Sequence, residues 1–189
     1  MSNSKTLIIY SSRRGSTKQY AEWIAEDLGK SCDCDLFTYS DSKKINLYEY
    51  DLIVYGGWIR GSGIVDFDNF RKRLDGELLD NLIVFGVGIA NQSADNYSQV
   101  WTINIGKVDK KNEHKVLMYI LDGRYDPEQV TGFDGFLMKI IQKVLKSGST
   151  KDAATEADMM ENRLINGCDL VKRENINSLV RDCKKKLEK

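Results

Sequence analysis

The chain has 189 residues, and its 28 Lys and Arg balance 28 Asp and Glu, so the formal net charge is zero. That length buries a core without staples, makes one domain over residues 1–189 the expectation, and its charge balance speaks against wholesale nucleic-acid binding, which draws on a basic field. Four cysteines, at 32, 34, 168 and 183, match neither a disulfide framework nor a zinc spacing; the start, MSNSK, has no apolar signal region and no run nears eighteen apolar residues, so free thiols, a cytoplasmic location and no transmembrane segment are expected.

Residues 6–10, TLIIY, form a short apolar run with β-branched members, the pattern of a strand covered on both faces. Tyr20, Ala21, Ile24, Ala25 and Leu28 follow at helical spacing, and Gly29 is the stop. CDLFTY, residues 34–39, reads as a second strand. YDLIVYGGWI, residues 50–59, reads as a third strand ending in two glycines. Phe67, Phe70, Arg71 and Leu74 give a short helix. NLIVFGVGI, residues 81–89, is a fourth strand closed by glycines, a helix is predicted over residues 95–107, and HKVLMYIL, residues 114–121, is a fifth strand.

Beyond the fifth strand, FDGFLMKIIQKVLK reads as an amphipathic helix with Phe133, Phe136, Leu137, Ile140, Ile141, Val144 and Leu145 on one face. Lys139, Lys143 and Lys146 lie on another side. This helix, from Phe133 to Lys146, either packs on the sheet or a neighbouring subunit, or makes a peripheral membrane contact. A polar stretch with a helical part follows, and a last helix covers residues 173–187 with Ile176, Leu179, Val180 and Cys183 inward. Buried strands alternating with helices imply βαβ units, hence an α/β, doubly wound, three-layer sandwich with a parallel sheet. Such sheets bind ligands beyond the carboxyl ends of their strands, and here the turns after strands one, three and four are rich in glycine.

The first of those turns, SSRRGST, stands between strand one and helix one. Ser12, Ser16 and Thr17 offer hydroxyls, Arg13 and Arg14 offer charge, and Gly15 permits a positive φ. A helix N-terminus favours an anion, so the loop is either a phosphate site or a capped helix start with surface arginines. It lacks the Gly-x-x-x-x-Gly-Lys of a nucleotide-hydrolase loop and the Gly-x-Gly-x-x-Gly of a dinucleotide site; GVGIAN has Asn91 where the third glycine belongs. The acids that a phospho-acceptor domain needs after strand one are absent from IIYSS. His114 is the only histidine, and no nucleophile triad or metal cluster is apparent, so no catalytic residue is assigned and no metal is expected.

At Ser12, Gly15 and Thr17 the loop resembles the phosphate loop of the flavodoxin family, with Arg14 where that motif has a hydroxyl residue. YDLIVYGGWIRG and LDGRYDPEQVTGFDGFLMKIIQKVLKSGSTKD look like segments of the flavodoxin-domain branch that includes menaquinone-dependent protoporphyrinogen oxidase. The resemblance implies a flavodoxin-like sandwich with five parallel strands in the order 2-1-3-4-5, an extra helical segment after strand five, and one FMN. Carried over, Ser12, Arg13, Arg14, Gly15, Ser16 and Thr17 hold the phosphate. Gly57, Trp58, Ile59, Arg60 and Gly61 cover one face of the isoalloxazine, and Val87, Gly88 and Ile89 meet its other side. Many flavodoxins have an acid at the place of Ile89 and a tyrosine soon after, for which Tyr97 is the substitute here. Read from the residues alone, Trp58 offers an aromatic face to a flat ring or belongs to the core, and Arg60 reaches a ligand or is a solvated surface arginine.

The functions implied are electron transfer between redox partner proteins, an FMN-dependent oxidoreductase acting on a quinone or protoporphyrinogen, or a binding module of the same fold without FMN.

Overall fold

The computed structural model describes residues 4–90, 93–111, 114–129 and 156–188. Strands β1 (Lys5–Ser11), β2 (Asp33–Thr38), β3 (Leu52–Arg60), β5 (Leu82–Gly88) and β6 (Leu117–Asp122) form a parallel sheet in the order β2-β1-β3-β5-β6. The two-residue β4 (Gly63–Ile64) pairs antiparallel with the end of β3. The order reverses at β1 and β3, so their carboxyl ends flank a crevice. The five parallel strands and their order agree with the expected flavodoxin-like α/β fold; β4 is an addition.

Successive strand residues point to opposite faces, and this alternation builds two cores. Leu7, Ile9, Ile53, Tyr55, Leu82 and Val84 pack with Phe67 and Phe70 of α2 (Phe67–Phe70), Leu78 and Leu79 of α3 (Gly76–Asp80), and Val100 of α4 (Ala94–Asn104). Ile8, Leu52, Val54, Ile83, Phe85 and Val87 pack on the other face against α1 (Ser16–Leu28), whose Tyr20, Ala21, Ile24 and Leu28 are fully buried. Ile176, Leu179, Val180 and Cys183 complete this second core; the last three sit on α6 (Asn177–Leu187). Each buried aliphatic side chain contributes about 1.5–3 kcal/mol, so these faces carry the stability of the sandwich. The positions expected to face inward on the first and last helices do so.

The glycines after strands three and four have a different office from the one expected. Gly56 and Gly57 lie within β3, opposite Phe85 and Gly86 of β5, and the strand runs on to Arg60. A Cβ on Gly56 would stand 2.0 Å from Phe85 Cζ, and one on Gly57 2.6 Å from Ile64 Cγ2. The actual turn is Gly61-Ser62, both with positive φ (53° and 65°), as in tight two-residue hairpins. Gly86 and Gly88 likewise leave room for Ile59, whose Cδ1 would be 2.9 Å and 3.4 Å from a Cβ at those positions.

After β6 the chain forms β7 (Arg124–Tyr125), then α5 (Glu156–Asn166) and β8 (Cys168–Asp169), and β7 pairs antiparallel with β8. The expected helix from Phe133 to Lys146, and with it the membrane question, lies outside the described residues. No described helix is long and apolar enough to cross a membrane.

Candidate functional site

The site begins where β1 hands the chain to α1. Ser11, at the strand's end, donates its hydroxyl to Asp66 at 2.6 Å, which ties the loop to the turn before α2. Gly15 then takes φ 90° as the N-cap of α1, and its N–H donates to Ser12 Oγ at 3.2 Å. No side chain caps the helix, and its first turn carries no acid. The first amides of any helix lack intrahelical acceptors, so this end presents N–H donors and a positive dipole end to an incoming anion. Ser16 and Thr17 are buried beneath it, while Arg13 and Arg14 stand exposed above.

These residues form one end of a cavity of about 420 Å³. Ser12, Arg13, Arg14, Ser16 and Thr17 line that end. Trp58, Ile59, Arg60 and Gly61 line it from the β3–β4 hairpin, and Val87, Gly88 and Ile89 from the end of β5. The Arg13 guanidinium lies 5.8 Å from the centre of the half-buried Trp58 ring. Among the described residues, four arginines, Arg13, Arg14, Arg60 and Arg124, and no carboxylate line the cavity. An anionic ligand therefore gains from every charge at its wall.

Two of the expected positions act from behind the wall. Gly15 shapes the loop through its backbone, and Gly57 is buried in β3. Tyr97 is not brought to the cavity: it projects from α4 and donates its hydroxyl to the carbonyl of Met118 at 3.1 Å. The rotation of α4 on the sheet decides this, because helix phase relative to β6 is set by Val100 and its neighbours in the core.

Other wall residues escaped sequence reasoning. Gly123, Arg124 and Tyr125 reach the cavity from β7 and the turn before it, and Met160 and Leu164 reach it from α5. Arg124 N donates to Ser16 Oγ at 3.3 Å, joining β7 to the start of α1. The Arg124 guanidinium pairs with Asp169 at 2.7 Å and holds that carboxyl below its usual range. Arg163 donates to the carbonyl of Ile89 at 2.6 Å and fastens α5 beside the end of β5. The Arg-Tyr pair was visible as part of a resemblance, but nothing local pointed it at the loop. Asn104 also went unnoticed. Buried at the end of α4, it accepts from Ile64 N at 2.8 Å and donates to Ser62 O at 2.9 Å, fixing the hairpin that presents Trp58 and Arg60.

A model of the flavodoxin domain matches residues 7–153. No curated protein matches the chain. Among solved structures, a flavodoxin from the domain Archaea is 16% identical over 98% of this chain and 99% of its own, with a TM-score of 0.50. A flavodoxin of Streptococcus pneumoniae TIGR4 is 11% identical over 97% and 99%, with a TM-score of 0.46. Rubredoxin oxygen:oxidoreductase of Desulfovibrio gigas is 15% identical over 98% of this chain and 37% of its own, with a TM-score of 0.45. At such identities the likeness is one of fold.

Proposed function

The chain belongs to the flavodoxin domain family, and from that premise we propose that it binds FMN in the cavity at the start of α1 and transfers electrons between redox partner proteins. The observation that carries this reading is a single cavity with an uncapped helix N-terminus at one end and a flat aromatic side chain along its wall. Its volume is in the range of cofactor pockets, about 300–1,000 Å³. The residues fit the group: donors and arginines for a phosphate at one end, and Trp58, Val87, Ile89, Met160 and Leu164 as a mostly apolar wall for a ring. Free cysteines at 32, 34, 168 and 183 suit a reducing cytoplasmic setting.

FMN, when bound, supplies one- and two-electron redox chemistry. The chain's own residues bind, orient and tune. The α1 amides and Ser12 hold the phosphate, with Arg13 and Arg14 adding charge. Trp58 offers a stacking face, and Arg60, on the hairpin, places a cation where it favours the more negative redox form. Met160 and Leu164 exclude water from the side that β7 and α5 close. That apolar cover supports a second reading, an FMN-dependent oxidoreductase acting on a quinone or protoporphyrinogen, since an electron carrier has no need to enclose its ring.

Titration of the purified chain with FMN tests the proposal. Quenching of flavin fluorescence with a Kd of about 1 μM or tighter is expected, on the order of 8 kcal/mol of binding free energy. A colourless protein that leaves FMN fluorescence unchanged would sink both redox readings and leave a binding module of the same fold. Steady-state reduction of menaquinone analogues, or oxidation of protoporphyrinogen, separates the enzyme from the carrier.

A further inference from the structure

Beside the start of α1 lies a group for which the FMN reading has no use so far. Tyr125 is 7% exposed, and its hydroxyl is buried with no hydrogen-bond partner among the described residues. Buried phenols are rarely left so, because lost hydration is a standing cost. The residue is held in place from two sides: its neighbour Arg124 donates its N–H to Ser16 Oγ, and Tyr125 itself pairs with Cys168 of β8. It lines the cavity at the anion-binding end, next to the first turn of α1. The Arg14 guanidinium lies 5.7 Å from the centre of its ring. Burial raises the phenol's pKa further above its ordinary value of 10.0, with the Arg14 charge only partly opposing, so at neutral pH the oxygen carries its proton.

We propose that Tyr125 and Arg14 form a second anion-binding arm of the cavity, which takes the phosphate monoester of the flavin. Tyr125 donates its O–H to a phosphate oxygen, and Arg14 turns from the ring to the same group. The assignment deepens the FMN reading and rests on it. A phosphate monoester has several acceptor oxygens and close to two negative charges, more than one helix turn satisfies. The exposed Arg14 gains little from its long contact with the ring, while a charge-assisted bond to phosphate is strong, so the anion draws it over. Tyr125 is then the residue by which the chain distinguishes FMN from riboflavin.

The test titrates the full chain and Tyr125→Phe with FMN, riboflavin and inorganic phosphate. The variant is expected to lose about tenfold or more in FMN affinity with its riboflavin affinity unchanged. Without ligand its Tm should not fall, since the hydroxyl removed has no partner among the described residues. Arg14→Gln should also weaken FMN, and the double variant should lose less than the sum of the two. FMN affinity within twofold of the parent, or equal losses for FMN and riboflavin, overturns the assignment. A parent chain that binds no FMN sinks the functional reading instead. Inorganic phosphate then decides the arm: a Tm rise seen in the parent and reduced in Tyr125→Phe supports it, and no rise in either removes it.

Discussion

Gly56 shows how one missing methyl organises the centre of the sheet. Phe85 on the neighbouring strand fills the space above it, and a Cβ there would stand 2.0 Å from the ring's Cζ, far inside van der Waals contact. Both residues are buried, so neither ring nor backbone has room to give. Gly56→Ala is expected to destabilise the fold by about 1–3 kcal/mol or more, read as a lower denaturant midpoint. Pairing it with Phe85→Leu should cost less than the two single changes added together, because the smaller side chain relieves the clash. Strict additivity would show that the ring does not set the restriction. The sequence marked this glycine pair as a ligand-facing turn; contact with Phe85 accounts for Gly56, and contact with Ile64 and Val65 accounts for Gly57.

Among the elements, the β3–β4 hairpin is tied to α4 by one side-chain amide. Its second strand, β4, has only two residues, and two-stranded ribbons are marginal by themselves. Asn104 supplies the anchor, with its amide bridging Ile64 N, Ser62 O and its own helix at Val100 O. Asn104→Ala would leave the buried Ile64 N–H without this acceptor, at a cost of about 1–3 kcal/mol where water does not enter. The expected result is faster amide exchange at Ile64, with FMN binding weakened because Trp58 and Arg60 are no longer held over the cavity. Protection at Ile64 equal to that of the parent would show that the hairpin stands without the anchor. The segment after β6 illustrates the same dependence: β7 pairs with β8, and Arg163 binds the carbonyl of Ile89, so α5 closes the cavity from a distance in sequence.

Across the whole molecule, the outer helices and the β7–β8 pair are tied down by carboxylates whose pKa values lie below the ordinary 3.8. Asp27 is held low by Lys30 and Arg173, Asp169 by Arg124, and Asp182 by the Tyr119 hydroxyl, with Lys185 and Arg181 adding to it. A lowered folded-state pKa means that the ionised form is bound more firmly in the folded chain. Its contribution is present above the unfolded pKa and is lost as pH falls through the folded one. Tm should therefore hold steady for these groups between about pH 6 and 8 and drop between about pH 4 and 2. A Tm unchanged down to pH 2 would show that these pairs do not help hold the outer helices and the β7–β8 pair. By itself, the sequence determined the alternation of strands and helices, the faces they bury and the place of the loop between the first strand and the first helix, because periodicity, β-branching and the Ser-Arg-Arg-Gly-Ser-Thr chemistry act over a few neighbouring residues. The tertiary structure alone decided that Tyr125, Met160 and Leu164 join that loop and that Tyr97 does not. Those outcomes rest on contacts such as Arg124 with Ser16, 108 residues apart, which exist only once the packing of both sheet faces has set where each distant segment lies.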